Sequence, residues 1–313
     1  MLKIMSPNPV TSAGQLRDAY RKTTERVAEA ALRSGRRPSD ILMVAVSKYA
    51  SPDQIRLLWE LGQMDFAENR AQQLAQRAAL MEEFVARRRW LGPAMNEVLD
   101  TPVAKVTAKP RPNSTSTPEA ASTPAAPWSK GIRWHMIGRL QRNKIKTVVP
   151  LVRLVHSVDS LRLAEDLHAF GGRQDMVIDV LLQVNASGEE SKAGVVPAAV
   201  HHLAEQINSM VHLRLRGLMT MAPHSDDPQD SRPTFARTAE LFQELRTSRV
   251  GGSTVNILSM GMSTDFTVAI EEGANLVRLG SVLFGTPTGL QDHDEDDQPR
   301  GVMEDEPIDA MDE

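Results

Sequence analysis

A lysine and two glycine–serine loops carry the chemistry that can be read from residue types alone. Lys48 follows the unbroken apolar run ILMVAV at 41–46. Such a run is the pattern of a strand buried on both faces. The C-terminal end of a strand is where α/β barrels and open α/β sheets place their chemistry. A lysine half withdrawn from water there presents an amine that can attack a carbonyl carbon. The plainer alternative is a strand-end lysine whose ammonium reaches solvent. Far along the chain, Ser259-Met260-Gly261-Met262-Ser263-Thr264 and Gly280-Ser281 each follow an apolar run. Their glycines let backbone N–H groups approach an anion, and Ser263 and Ser281 add hydroxyl donors. Both loops lead into short helices, whose N-termini favour negative charge. For Ser263, a simple helix cap is the alternative.

These residues need a frame, and the hydrophobic periodicity supplies one. Apolar runs predict strands over 41–46, 64–68, 132–138, 154–158, 177–184, 213–219, 255–259 and 276–279, with helical patterns between them. Ser51-Pro52-Asp53-Gln54 is a strong helix start: Ser51 caps, Pro52 fits the first turn and Gln54 completes a capping box. An additional amphipathic helix runs from 12 to about 34, with Leu16, Tyr20, Val27 and Ala31 on one side. The alternation predicts a single (β/α)8 TIM barrel over 12–286 with an extra N-terminal helix. Lys48, Asn69, His135, His156, Asn185, Met219 and Ser259 then share one face, each at or near a strand C-terminus. In such barrels the loops after strands seven and eight are the common phosphate site. A doubly wound open sheet competes, but the chain has no glycine-rich first turn to support one.

Two stretches fall outside the pattern. From about 92 to 130 the chain is rich in Pro, Thr, Ser and Ala and has little to bury, so a disordered insertion into a loop is expected. Residues 287–313 are expected to be a disordered acidic tail. The net charge of −4 conceals this split: 291–313 carries 11 acidic residues against one arginine, leaving a mildly basic body. A basic body suits a small anionic ligand. Nucleic acid is not expected, since aromatics are few and no reading motif is present. Zero cysteines remove disulfides, thiolate chemistry and Cys-ligated zinc together. No apolar run approaches a membrane span, and the N-terminus lacks the pattern of a secretory signal. A cytoplasmic monomer is expected, with a mitochondrial location left open.

A strand-end lysine facing a phosphate cup suggests an aldehyde cofactor that bears a phosphate, and pyridoxal 5′-phosphate (PLP) is the candidate. The motifs AVSKYASPDQI, DFAENRAQQL, WHMIGRLQRNK, VHSVDS, LLQVNASGEESKAG, GLMTMAP and LSMGMSTDFTVAIEEGANLVRLGSVLFG together resemble the PLP homeostasis (YggS/PROSC) family. The resemblance covers nearly all of 12–285 apart from the insertion. It implies a PLP barrel of fold type III, like the N-terminal domain of alanine racemase. It further implies that Lys48 forms a Schiff base and that Ser263, Gly280 and Ser281 hold the phosphate, with Met262 contributing backbone. Arg278 would face the pyridine nitrogen; the structural alternative for it is an ion pair with Glu271 or Glu272. Asn69 and His135 would line the ring pocket.

The resemblance implies a protein that buffers and delivers PLP, apo enzymes being the recipients, without established catalysis. Lys192 matches a family lysine that could handle cofactor outside the main site; a solvated loop lysine is the alternative. The competing function is a PLP-dependent amino-acid racemase. Racemases of the alanine type take a second base, a tyrosine, from a C-terminal β-domain. After Gly285 this chain continues for 28 residues without aromatics, and its two tyrosines are Tyr20 and Tyr49. Racemisation would need Lys48 and another group such as His135. The insertion and the tail lie outside the family pattern.

Overall fold

Parallel strands follow one another around a closed circle in chain order. A computed structural model describes residues 10, 12–100, 131–189 and 192–286. Within them β1 (Leu42–Val46), β2 (Asp65–Glu68), β3 (Arg133–Met136), β4 (Val152–Val158), β5 (Ile178–Val184), β6 (Leu213–Thr220), β7 (Ile257–Ser259) and β8 (Leu276–Leu279) form one barrel. Closure is made by β1 against β8, with Leu42 opposite Leu276 and Val44 opposite Arg278. The helices α2 (Pro52–Glu60), α3 (Ala71–Asp100), α4 (Ile145–Val148), α5 (Leu161–Arg173), α6 (Val200–Ser209), α7 (Arg232–Thr247), α8 (Phe266–Glu271) and α9 (Ser281–Phe284) follow the strands in turn, and α1 (Ala13–Arg33) precedes them. The expected TIM barrel with an extra N-terminal helix is therefore the fold.

Two apolar layers explain the unbroken runs. Side chains alternate along a strand, so Val44 and Val46 of β1 face the barrel interior with Ala67, Leu154, Leu181, Met219 and Leu276. The residues between them, such as Ala45, Phe66, Val155 and Leu182, face the helices and join the larger core. Both positions bury apolar surface, each large side chain contributing about 1.5–3 kcal/mol.

Local signals place the helices. Ser12 accepts the N–H of Gln15 at 3.2 Å while its own N–H donates to the Gln15 side chain at 3.1 Å, fixing the start of α1. Ser51 and Gln54 make the same reciprocal pair at 3.2 and 2.8 Å at the start of α2. α1 lies against α2, α8 and α9 and buries Leu16, Val27, Ala30 and Ala31.

Three elements depart from the sequence reading. α3 continues to Asp100, so 92–100 of the expected insertion is helical; 101–130 and the expected tail, 287–313, lie outside the described residues. Ala94, Met95, Glu97 and Leu99 are good helix formers, which a reading led by Gly92-Pro93 overlooks. In the sequence, Asn143 opens a basic stretch that predicts a helix, but only a 3-10 turn, a single α turn and another 3-10 turn ending at Leu151 form there, since Pro150 cannot extend it. Gly171-Gly172 predicts a helix end in the sequence, but α5 runs through it to Arg173. Those glycines mark a close approach rather than an end: a Cβ on Gly171 would stand 2.8 Å from the Cβ of His212.

Candidate functional site

Lys48 sits at the second position of a tight turn that leaves β1. The N–H of Ser47 still bonds to the carbonyl of Ala67 on β2 at 3.0 Å, and the N–H of Ala50 closes the turn onto the Ser47 carbonyl at 2.8 Å. The Lys48 side chain is half-buried, with Nζ 5.0 Å from the centre of the Tyr49 ring. Arg77 of α3 reaches across to the carbonyls of this turn and to Glu68. The loop after β8 is adjacent: a Cβ on Gly280 would stand 3.4 Å from both Cβ and the carbonyl oxygen of Val46. Lys48 and Gly280-Ser281 therefore share the C-terminal mouth of the barrel.

Ser263 laces the two final loops together. Its Oγ accepts the N–H groups of Gly280 and Val282, each at 3.2 Å. It therefore caps the start of α9 and not its own helix. Met262 has its N–H donated to Asp265 Oδ1 at 2.6 Å and its carbonyl taken by the N–H of Phe266 at 2.9 Å, so it shapes the loop. Asp265 also accepts the Ser231 hydroxyl at 3.2 Å. Burial pushes its carboxyl up, against the lowering influence of Met262 N–H, Ser231 and Arg278. Ser281 is half-buried at the start of α9.

Below the mouth, a chain of buried polar groups crosses the barrel interior. Arg278 is 3 % exposed, and it donates to Ser259 Oγ at 2.7 Å and to the Thr220 carbonyl at 2.9 Å. Ser259 Oγ lies 3.1 Å from His156 Nδ1, His156 Nε2 lies 2.9 Å from His135 Nδ1, and His135 Nε2 lies 3.1 Å from Asp65 Oδ1. Arg133 pairs with Asp65 at the far end. Burial first, and then its neighbours His135 and Arg278, hold the His156 imidazole well below its ordinary value. Burial works to raise Asp65, but hydrogen bonds from His135 and Arg133 outweigh it and hold the carboxyl low. With His156 neutral and Asp65 ionised, one sequence satisfies every member: Ser259 O–H donates to His156, His156 to His135, and His135 to Asp65. An unpaired polar group here would cost about 1–3 kcal/mol, so the interior is polar only because it is linked.

The ion-pair alternative for Arg278 is set aside by the partners of those carboxylates. Glu271 pairs with Arg33 and Arg232, and Glu272 with Arg232. Asn69 stands at the exit of β2, and its backbone touches the exit of β3. A Cβ on Gly138 would fall 2.1 Å from the Asn69 carbonyl oxygen, so only glycine permits that approach. His135 lies deeper than a strand end, 1 % exposed with both ring nitrogens engaged, and connects to Arg278 through His156 and Ser259. Lys192 is in the separate loop after β5, where it pairs with Glu189 at 3.0 Å. Asn185 organises that loop by donating to the carbonyls of Glu189 and Lys192.

Sequence reasoning missed Asp65, Arg77, Thr220 and Asp265. None ends an apolar run, and only the three-dimensional pairing gives them meaning. At the opposite end of the barrel a cleft of about 330 Å³ opens among the starts of β4, β5 and β6, where Asp179 is paired with Arg214 and Arg216. Among the described residues no group of three or more His, Asp or Glu could hold a metal ion, and no helix is long and apolar enough to cross a membrane.

Known proteins resemble this chain in sequence and fold. The family described as alanine racemase, N-terminal domain, matches residues 115–287. A protein of Aquifex aeolicus named pyridoxal phosphate homeostasis protein is 33 % identical over 264 residues, covering 84 % of this chain and 95 % of its own. A structure of an unknown protein from Bifidobacterium adolescentis is 30 % identical, with a TM-score of 0.71, covering 89 % of this chain and 99 % of that one. PipY of Synechococcus elongatus, whose structure was solved with PLP bound, is 29 % identical, with a TM-score of 0.60 and coverage of 84 % and 99 %. The family model and the relatives agree: the chain belongs to the pyridoxal phosphate homeostasis protein family, on the barrel of the alanine racemase N-terminal domain.

Proposed function

We propose that this protein binds PLP at the C-terminal mouth of the barrel, holds it on Lys48 as a Schiff base, and buffers or delivers it without turning over a substrate. The observation that carries this reading is the convergence of a half-buried amine, a serine-laced loop pair and a buried guanidinium on the neighbouring strands β1, β7 and β8. The residues fit the group. Ser263 and the amides of Gly280 and Val282 form a compact set of polar groups for a phosphate, and Ser281 adds a hydroxyl beside them. Lys48 would be the amine presented to the aldehyde that the cofactor, when bound, would supply.

Arg278 supports a carrier over an enzyme. Its guanidinium is fixed by Ser259 and the Thr220 carbonyl, and arginine does not accept a proton at any working pH. Placed beside a pyridine nitrogen, it leaves that nitrogen unprotonated, and the ring accepts carbanion electrons poorly. His135, one group that racemisation could use besides Lys48, has both ring nitrogens occupied by Asp65 and His156. Apo PLP-dependent enzymes would be the recipients of the held cofactor.

An absorbance spectrum of the purified protein with PLP tests the binding mode: a band at about 420 nm is expected of a lysine-bound cofactor. Incubation with L- or D-alanine tests the absence of turnover, where rates at background are expected. Robust racemisation would overturn the carrier reading.

A further inference from the structure

The turn that carries Lys48 is held by one side chain from another element. Arg77, on the second turn of α3, points under the β1–α2 turn with its side chain 16 % exposed. One terminal nitrogen donates to the Ser47 carbonyl and to Glu68 Oε1; the other donates to the Ala50 carbonyl at 2.9 Å and approaches the Lys48 carbonyl at 3.4 Å. Three carbonyls of a four-residue turn therefore converge on a single guanidinium. A planar fork can serve several acceptors at once, where an ammonium offers a point charge. Glu68 supplies the counter-charge. It is fully buried at the end of β2, receives the Ser47 hydroxyl at 2.5 Å, and its Oε2 finds no hydrogen-bond partner among the described residues. Burial pushes its carboxyl up, and Arg77 and Ser47 offset that only in part.

A buried ion pair is a weak source of stability by itself, so its geometry asks for another role. Glu68 adjoins Asn69, and Ser47 adjoins Lys48. The pair therefore ties the exit of β2 to the turn at the exit of β1, at the mouth of the barrel. We propose that Arg77, counter-charged by Glu68, is the positioning residue for Lys48: it fixes the backbone of the turn so that the amine is presented at the mouth in one orientation. A misplacement of about 1 Å at a reacting group can cost about a hundredfold in rate, and a free turn has that much play. This inference rests on the reading of Lys48 as the amine that captures PLP.

The experiment separates positioning from folding by using two ligands. PLP reports capture at Lys48, as the second-order rate of absorbance change and as borohydride-reduced adduct mapped to its peptide. Pyridoxamine 5′-phosphate has the ring and phosphate but no aldehyde, and reports the pocket alone. The variants are Arg77→Lys and the paired Arg77→Met with Glu68→Gln, which leaves no buried charge uncompensated and so keeps the fold. In the paired variant the capture rate is expected to fall at least tenfold while pyridoxamine 5′-phosphate affinity stays within about twofold. Arg77→Lys, which keeps the counter-charge but not the fork, is expected to fall in between. A capture rate within twofold of wild type, or an equal loss for both ligands, overturns the inference. Failure of the wild-type protein to give a reducible adduct at Lys48 overturns the proposed function itself, and is read before any variant is made.

Discussion

His135 and His156 meet inside the barrel, Nδ1 to Nε2, at 2.9 Å. Two imidazoles that close cannot both be charged at modest cost, and the pair is pinned between Asp65 on one side and Ser259 with Arg278 on the other. His156 is neutral, its proton affinity held down by burial first and by His135 and Arg278 second. In the unfolded chain it titrates near the ordinary histidine value of about 6.5. Stability linked to it is therefore complete above that value and is lost as the pH falls towards the depressed folded value. Urea midpoints measured from pH 8 to pH 5 should decline below about 6.5, with a slope of up to about 1.4 kcal/mol per pH unit from this group. His156→Asn should flatten the decline, and an equal slope in the variant would remove His156 as its source.

Lys48→Ala is expected to abolish the reducible PLP adduct while the melting temperature moves by no more than about 3 °C, because a half-buried side chain has little packing to lose. Peptide mapping after borohydride reduction checks the assignment. Label on Lys192, paired with Glu189 in another loop, and none on Lys48 would sink it.

Ser263→Ala removes the acceptor for two backbone N–H groups. A loss of about 1–3 kcal/mol in stability is expected if those amides stay dry. Affinity for PLP should drop about tenfold, one hydrogen bond to a charged group being worth about 1.5–3 kcal/mol. Pyridoxal without its phosphate should bind as before, so calorimetry with both ligands isolates the phosphate contact. Equal losses for the two would assign Ser263 to loop integrity alone.

The segment 101–130 and the stretch 287–313 have compositions that bury little. Replacing the first by a glycine–serine chain of equal length and truncating the second should leave PLP affinity within about twofold and the melting temperature within about 2 °C. A fall of 10 °C in either protein would show that the segment packs on the barrel.

The strands were legible because burial on two faces writes itself as unbroken Val, Ile and Leu, and Ser51-Pro52-Asp53-Gln54 announced α2 to the residue. The place of Lys48, Gly280 and Ser281 at the barrel mouth was legible for a related reason: each stands within two residues of the end of such a run. The buried chain from Arg278 to Asp65 was not, because its links join β2, β3, β4, β7 and β8, and no local pattern encodes a hydrogen bond between strands. His135 shows the limit well. Its position at the end of a run pointed to the mouth, whereas the phase of β3 turns it inward beside His156. Arg77 was hidden within an ordinary helical stripe among Leu74, Ala78 and Met81. Its polarity suggested solvent, and only the turn beneath it explains why an arginine stands there.

Leu42 lies opposite Leu276, partners separated by 234 positions along the chain. During synthesis at about 5–20 residues per second, β1 waits on the order of ten to fifty seconds for the strand that closes it. Contacts of such long range are the slow ones, since the entropy of closing the loop is spent before they reward it. Lys48 is thus translated early, and Ser263, Gly280 and Ser281, the proposed phosphate end of the site, late. A nascent chain carries the amine but no cup, and differs little in reactivity from any exposed lysine. On the proposed reading, selective capture begins only when the last strand docks, and cofactor content would count the chains that have closed the circle.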